Sequence, residues 1–193
     1  MNMMKKCILT LMLFVVVIVS GCRSSAPVYH IREDIDFSYF KKVAVMPLDN
    51  LTPERAAADI VRQIVTSELL ASGLVDVIVP GEVMTALNDL DIKNISSLNE
   101  KQIQAIGKSL QVEGLIIGAV EKYGETRIGN VSAPEATITL MMADTGSGNI
   151  VWSMTGTRGG ADFMARHFGA KSETMSETVM VLIRGMVQTL KRQ

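Results

Sequence analysis

Two apolar, β-branched runs separated by an amphipathic helical pattern limit the fold of this chain more than any other feature. The first run lies between Lys42 and Leu48, and the second occupies residues 74–79 and ends at Pro80-Gly81. Runs that are apolar on both faces are typical of interior strands in sheets that helices cover. The two runs with the segment between them therefore predict a β-α-β unit.

The helix of this unit is predicted to run from Thr52 to Ser72. Thr52 can cap the helix with its hydroxyl, Pro53 suits the first turn because its missing N–H is not needed there, and Glu54 favours the positive end of the helix dipole. Gly73 supplies a stop. The apolar residues recur on one stripe that is wide enough to cover a sheet: Ala57, Ile60, Val61, Ile64, Val65 and Leu69.

The rest of the pattern adds helices and strands in a mixed order. Helices are predicted at residues 82–90, 98–110 and 172–191, strands at 114–120, 136–143 and 149–157, and a short helical turn at 36–40. The glycine-rich segment between the last two strands is a strong hairpin signal. The sequence therefore predicts a single α/β sandwich domain with a mixed central β-sheet and helices on both faces.

The N-terminus has the features of an export signal. Lys5 and Lys6 precede an apolar run at residues 8–19, which is shorter than the roughly 18 or more residues that a membrane-spanning helix needs. The following Val-Ser-Gly-Cys, residues 19–22, closely resembles the bacterial lipobox, and this resemblance implies cleavage before Cys22 and lipidation of its thiol. The alternative is an ordinary signal peptide that leaves Cys22 as a free thiol.

These features divide the chain into three predicted parts. Residues 1–21 form the lipoprotein signal peptide, residues 22–40 the lipidated N-terminus and tether, and residues 41–193 the α/β domain. Two or more acyl chains hold a protein stably at a bilayer, whereas one does so only marginally. Arg23 stands where an aspartate retains enterobacterial lipoproteins in the inner membrane. We therefore expect an outer-membrane lipoprotein whose domain faces the periplasm.

Composition excludes several classes of function. Removing residues 1–21 from the 193 residues leaves 172, enough for one domain with a sizeable core, and the loss of Lys5 and Lys6 takes the formal net charge from −1 to −3. Nothing in this charge suggests a nucleic-acid partner. The two cysteines, Cys7 and Cys22, leave no pair for a disulfide in the mature chain. The sequence predicts no metal site and no cofactor, because the two histidines lack a second ligand at metal-binding spacing.

Three segments deserve comparison as candidate sites. The glycine-rich residues 145–149 join two strands instead of opening a helix, which favours a hairpin turn over a phosphate cradle. Asp49-Asn50 follows the first strand, where many open α/β sheets bind ligands, although both residues are also ordinary turn formers. Trp152 lies within a strand, which favours packing in the core over the alternative of anchoring a partner. None of these supplies a catalytic set, and we expect a non-enzymatic protein.

Three segments together resemble a known family. They are K-K-V-A-V-M-P-L-D-N-L-T at residues 41–52, V-E-G-L-I-I-G at 112–118 and T-G-S-G-N-I-V-W-S at 145–153. With the lipobox, they resemble the curli-secretion lipoprotein CsgG and its relatives, which implies an anticodon-binding-domain-like fold. The penicillin-binding-protein activator lipoproteins look like the same fold. The resemblance also implies partners in the cell envelope and a homo-oligomeric ring.

The chain departs from the curli channel at the two places where that protein carries membrane-spanning hairpins. Residues 122–135 and 159–171 are each too short for two spanning strands, which need about 9 to 11 residues apiece. The channel activity is therefore not implied. The second segment contains Phe163 and Phe168, which could pack against the sheet, touch a membrane or contact a protein partner.

The leading functional hypothesis is an accessory or scaffold lipoprotein in an envelope assembly or secretion system. The alternative is a periplasmic activator of a peptidoglycan synthase, as the activator lipoproteins are. A self-sufficient pore is a third hypothesis, and an enzyme is the weakest.

Overall fold

A mixed β-sheet with helices on both faces forms the body of the protein. The computed structural model describes residues 28–32, 36–128, 131–159 and 173–191. Its strands are β1 Val28–Ile31, β2 Lys42–Val45, β3 Asp49–Asn50, β4 Asp76–Val77, β5 Gly114–Ile128, β6 Val131–Asp144 and β7 Ile150–Gly159. Its α-helices are α1 Ala57–Ser72, α2 Pro80–Asp89, α3 Glu100–Leu110 and α4 Met175–Leu190.

The sheet contains both parallel and antiparallel pairs. Its strand order is β1-β7-β6-β5-β2-β4, and the short β3 also pairs with β5. The pairs β2–β4, β2–β5 and β3–β5 are parallel, as the β-α-β pattern predicts. The pairs β5–β6, β6–β7 and β1–β7 are antiparallel. The predicted mixed sheet is confirmed.

The two faces of the sheet carry separate apolar clusters. Helices α1 and α4 cover one face, where Val61, Val65, Ile183 and Met186 pack on strand residues such as Ile138. Helices α2 and α3 cover the other face through Val83, Leu87 and Ile106, which pack near Ala44 and Leu115. The alternation of side chains along each strand sends neighbouring residues to opposite clusters. Helices on both faces are thus confirmed.

The first helix begins later than its sequence signals predict. It starts at Ala57, and the residue before it makes no side-chain cap. The Thr52 hydroxyl instead donates to Asn50 Oδ1 at 2.8 Å. The predicted cap at Thr52 is therefore wrong, because that hydroxyl is used in the turn that follows β3. The predicted stop is confirmed, since Gly73 adopts a left-handed conformation with φ 66°.

The lengths of three strands differ from the prediction. The run at residues 74–79 forms only the two-residue β4, while β5 continues past Val120 to Ile128 and β6 begins at Val131 instead of Ala136. The extra residues pair as far as Ile128 with Val131. These residues are polar, so no apolar pattern in the sequence predicts them as strand. A two-stranded extension pairs its backbone N–H and C=O groups between its own two strands and does not need an apolar face.

Part of the predicted tether belongs to the sheet. Residues 28–31 form β1, an edge strand that pairs antiparallel with β7, so the linker expected at residues 23–40 misses this strand. The helical turn expected at 36–40 is observed as a 3₁₀ turn over Phe37–Tyr39, which Asp36 caps by accepting from Ser38 N at 2.8 Å. Phe40 behind it is buried in the core.

Candidate functional site

Several residues singled out from the sequence lie outside the described residues. Cys22, the predicted lipidation site, precedes them, and Phe163 and Phe168 fall in the undescribed segment between residues 159 and 173. The lipid anchor at Cys22 and the partner contact at Phe163 and Phe168 therefore stay predictions.

Trp152 packs in the core instead of presenting a partner-binding surface. It is 1% exposed, and its indole Nε1 donates to Thr189 Oγ1 at 3.0 Å. The Thr189 hydroxyl donates in turn to the carbonyl of Met186 at 2.7 Å. This chain of hydrogen bonds joins β7 to α4 and satisfies the one polar atom of the indole, so the packing interpretation of Trp152 is confirmed.

The end of β2 is occupied by groups of the chain itself. Asp49 and Asn50 pair with β5 as β3, and Asp49 Oδ1 accepts from the Ser96 hydroxyl at 2.5 Å. Asn50 Nδ2 donates to the carbonyl of Glu54 at 2.8 Å and so organises the following turn. Arg62 donates from Nε and Nη2 to the carbonyl of Val45 at 3.0 and 2.8 Å. These contacts favour a structural role for Asp49 and Asn50 over ligand binding.

The glycine-rich segment is a hairpin turn, as predicted. Asp144 accepts from the N–H groups of Gly146 and Ser147 at 3.1 and 3.0 Å, and Gly148 closes the turn with φ 75°. The turn packs closely on α3, since a Cβ added at Gly107 would lie 2.2 Å from Thr145 Cβ. The N–H groups of Gly146, Ser147 and Gly148 all donate to Asp144. Those of Thr145 and Asn149 donate to the Glu113 carbonyl and the Ser147 hydroxyl, so the backbone N–H groups of the segment are occupied.

Within the described ranges, no group of three or more His, Cys, Asp or Glu side chains is placed to hold a metal ion. None of the helices among these residues is long and apolar enough to cross a membrane.

The sheet register brings three connections to one end of the molecule. Four residues lie side by side at one level of the sheet. Val28 at the start of β1 pairs with Thr155 of β7, Thr155 pairs with Thr139 of β6, and Thr139 pairs with Ala119 of β5. From that level β7 continues to Gly159, and β5 and β6 continue farther to Ile128 and Val131. The chain that leads back to Cys22, the chain that leads to the Phe163 segment and the β5–β6 hairpin therefore share this end.

We call the hairpin beyond the end of β7, residues 124–128 and 131–135, the arm. At its base Lys122 Nζ and Glu135 form an ion pair at 2.7 Å, and the Thr126 hydroxyl also donates to Glu135. Those hydrogen bonds, first from Lys122 and then from Thr126, hold the pKa of the Glu135 carboxyl below its ordinary value. Nearer the tip the Ser132 hydroxyl donates to Glu125 at 2.6 Å. The polar side chains thus fix the two strands of the arm to each other.

A second ion pair joins β7 to the residues before α4. Arg158 donates from Nε to Glu173 at 3.0 Å and from Nη2 to the other carboxylate oxygen. This bidentate bond is the leading cause that lowers the pKa of the Glu173 carboxyl. Thr174 then caps α4 in a capping box with Glu177. Arg158 and Glu173 therefore hold together the two ends of the segment that contains Phe163 and Phe168.

A strip of threonines runs along β6 and β7 below the arm. The hydroxyls of Thr139 and Thr155 lie 2.7 Å apart, and those of Thr137 and Thr157 lie 3.0 Å apart. Side chains alternate along a strand, and Ile138 between the two β6 threonines packs under α1 and α4, so the strip lies on the opposite face. Thr155 and Thr157 are exposed. The strip gives this end of the sheet a polar, ordered surface.

The arm and the Arg158–Glu173 pair were missed from the sequence. The signal for the arm is present, because Gly129-Asn130 between Ile128 and Val131 is a dipeptide typical of two-residue hairpin loops. No local pattern indicates the ion pair, since its partners are separated by the whole intervening segment. These polar groups make this end of the sheet the candidate site, considered as a contact surface.

Known protein structures resemble this chain in fold. No protein-family model matches the chain, and no curated protein matches it. A dodecameric point variant of PelC from Paraburkholderia phytofirmans is similar with a TM-score of 0.60 and 21% identity, over 86% of this chain and 98% of that one. The lipoprotein GNA1162 from Neisseria meningitidis is similar with a TM-score of 0.57 and 13% identity, over 79% of this chain and 99% of that one.

The C-terminal domain of LpoB from Salmonella enterica matches more distantly, with a TM-score of 0.46 and 16% identity over 61% of this chain and 81% of that one. This last likeness is too low to support an inference. At the identities of the first two structures, the likeness establishes the α/β fold and nothing about function. Membership in the curli-secretion family is not shown.

Proposed function

We propose that the protein is a lipid-anchored accessory or scaffold protein of the bacterial envelope, acting through protein contacts in an assembly or secretion system. The observation that carries the proposal is the position of β1, which starts at the arm end of the sheet only six residues after Cys22. A lipid on Cys22 would therefore hold the arm end beside the membrane that carries it. Arg23 after the cysteine favours the outer membrane, with the domain in the periplasm.

Self-association into a ring is part of this proposal. PelC, a protein of similar fold, forms a dodecamer. GNA1162, another protein of similar fold, is a lipoprotein. In a cyclic ring every subunit presents the same end to the same side. All tethers would then reach one membrane, which suits a chain whose anchor leaves from a single end of its sheet.

Light scattering coupled to size-exclusion chromatography tests the ring. The lipidated protein in detergent and the domain lacking residues 1–22 are compared over a range of concentrations, with the detergent contribution subtracted. We expect a defined oligomer in at least the lipidated form. A monomer in both forms at the highest concentration contradicts the ring.

Activation of a peptidoglycan synthase is the second candidate, and it follows from the resemblance of the sequence to the activator lipoproteins. Crosslinking in cells followed by mass spectrometry separates the two candidates, because it reports the partner directly. Recovery of secretion or assembly components supports the scaffold proposal, and recovery of a synthase supports the activator. Robust turnover in a screen of periplasmic hydrolase substrates would contradict the non-enzymatic character of both.

A further inference from the structure

A pocket of about 260 Å³ opens at the end of the sheet opposite to the arm. It lies between the C-terminal ends of α1 and α4, where Leu69 and Leu190 are part of its lining. Lys41, just before β2, closes it on the side of the sheet. The next strand residues confirm its level, because Val43 pairs with Gly114, the first residue of β5. The arm is the far part of the same strand, so most of the length of β5 separates it from the pocket.

The floor of the pocket is apolar and belongs to the core. Phe40, Leu69 and Met142 line it, and each is at most 2% exposed. Phe37 is also in the lining, with its ring centroid 5.8 Å from that of Phe40, and Asp36 caps the 3₁₀ turn that carries it. Core packing and a capped turn therefore hold the pocket in shape without a ligand, which lowers the entropic cost of binding.

The charged residues of the lining are both basic. Lys41 and Lys191 line the pocket and are exposed, and no described acidic residue is part of the lining. Neither lysine belongs to an ion pair within the described ranges. The charged rim of the pocket is therefore positive and open to an anionic group.

The nearest carboxylates are held by backbone N–H groups. Glu113 accepts from Lys41 N at 3.2 Å, and Asp36 accepts from Ser38 N at 2.8 Å. The bonds with Ser38 lower the pKa of Asp36 most, and the charge of Lys41 makes the smallest contribution. The Lys41 ammonium is thus only weakly engaged by its own chain.

The two helix ends at the pocket are also largely satisfied. At the end of α1 the Ser72 hydroxyl donates to the Leu69 carbonyl at 2.6 Å, and Gly73 N donates to the Leu70 carbonyl at 3.2 Å. At the end of α4 the charge of Lys191 offsets the negative end of the helix dipole. The helix ends therefore do not cancel the positive charge at the rim.

The size, charge and surroundings of the pocket define the chemistry of a ligand. Sites for drug-sized molecules enclose about 300 to 1,000 Å³, so a slightly smaller pocket suits about one large side chain. Apolar residues continue beyond it, since Leu74 in the lining is 36% exposed and Tyr39 in the 3₁₀ turn is 58% exposed. An apolar C-terminal residue of a polypeptide fits all three features. Its side chain suits the floor, its carboxylate suits the lysines, and the preceding chain can contact the exposed apolar residues.

We propose that this pocket binds the C-terminus of a partner polypeptide, with the apolar last side chain on the floor and the free carboxylate held by Lys41 and Lys191. This inference goes beyond the proposed function, because it requires neither the lipid nor the ring.

The test uses the mature protein as cells produce it, purified in lipid nanodiscs, or in buffer if it carries no lipid. The probe is a short, fluorescently labelled peptide of glycine and serine that ends in phenylalanine with a free carboxylate. The same peptide with a C-terminal amide removes the charge, and a peptide ending in glycine removes the side chain. Fluorescence anisotropy measures the affinity of each peptide, and empty nanodiscs report binding to lipid alone.

We expect the free acid to bind at least about tenfold more tightly than the glycine peptide, because burial of one large apolar side chain contributes more than that factor. The amide should bind several-fold more weakly than the acid, since exposed ion pairs contribute up to about fivefold each. Only the acid should lose affinity as ionic strength rises from about 0.01 M to about 1 M, which shortens the screening length from about 30 to 3 Å. No anisotropy change up to about 1 mM peptide, or equal affinity of the three peptides, overturns the proposal.

Two variants place the binding in this pocket. Lys41→Gln and Lys191→Gln should each weaken binding of the acid by up to about fivefold and leave the amide unchanged. The matched control is Lys101→Gln, an exposed lysine of α3 on the other side of the sheet, which should bind the acid as the wild type does. Unchanged affinity in both pocket variants, or an equal loss in the control, overturns the assignment to this pocket. Either result leaves the anchored scaffold proposal intact, since the anchor and the oligomer are measured separately.

Discussion

The close packing of α3 on the β6–β7 turn predicts opposite effects for the same substitution in two helices. Gly107→Ala adds a methyl group that would lie 2.2 Å from Thr145 Cβ, and the threonine is held by its hydroxyl bond to Val112 O at 2.6 Å. Gly185→Ala adds the same group on the exposed side of α4, where nothing lies within 4 Å. Gly107 is buried and Gly185 is exposed, and only the methyl group added at Gly107 meets Thr145.

The magnitudes follow from helix propensity and overpacking. Alanine is better than glycine in a helix interior by about 1 kcal/mol, so Gly185→Ala should stabilise the protein by up to that amount. Overpacking costs about 1 to 3 kcal/mol, and a contact this short requires the backbone to move, so the upper end applies at Gly107. After the same propensity gain, Gly107→Ala should destabilise the protein by about 2 kcal/mol.

Urea denaturation of the domain followed by circular dichroism measures both free energies of unfolding. The two variants should differ by about 3 kcal/mol, or about 6 to 12 °C in Tm for a domain of this size. Replacing Thr145 with serine in the Gly107→Ala background should recover part of the loss, because it removes one of the crowded atoms. Equal stability of the two single variants would refute the close packing of α3 on the turn.

Three further predictions concern the core, the arm and the anchor. Thr189→Val leaves the buried indole N–H of Trp152 without its acceptor and should cost about 1 to 3 kcal/mol in urea denaturation, whereas Thr189→Ser keeps the hydroxyl and should cost less. The pKa of Glu135 is lowered in the folded state, so its stabilisation is present above its ordinary pKa of 4.5 and is lost as pH falls. Between about pH 6 and pH 3 the wild type should therefore lose more stability than Glu135→Gln, and equal losses would contradict the ion pair with Lys122. Cys22→Ser should move the protein from the membrane fraction to a soluble or unprocessed form; retention in the outer membrane would contradict the anchor.

The sequence predicts those helices and strands whose residue pattern does not depend on which particular element packs against them. A strand such as Lys42–Val45 is apolar on both faces because helices cover both, and the pattern is visible without knowing which helices they are. The arm is different, since Lys122 is paired with Glu135 and neither residue alone indicates a strand. The predicted tether misses β1 for the same reason, because the partner of β1 is β7, which is far along the chain.

The candidate site shows the same division. Trp152 was predicted to pack because large aromatic residues within apolar strands usually do so. The hydrogen bond from Thr52 to Asn50 and the ion pair between Arg158 and Glu173 depend on how the folded chain places these residues. The periodicity of apolar residues in the sequence does not indicate either contact. The convergence of three connections at one end of the sheet follows from register alone, which becomes visible only when every strand is paired.

The pairing of β1 with β7 also has a consequence for the order of folding and for mechanical load. If the protein is exported as proposed, residues 28–31 emerge early, whereas their partners at 152–155 emerge near the end. β1 therefore has to wait for its place in the sheet until most of the domain has emerged. If Cys22 also carries the proposed lipid, a pull on that anchor would reach these four residues before the other described strands, so β1 would be the first strand to peel away. Its release would lengthen the link to the membrane while the packed faces of the sheet stayed intact.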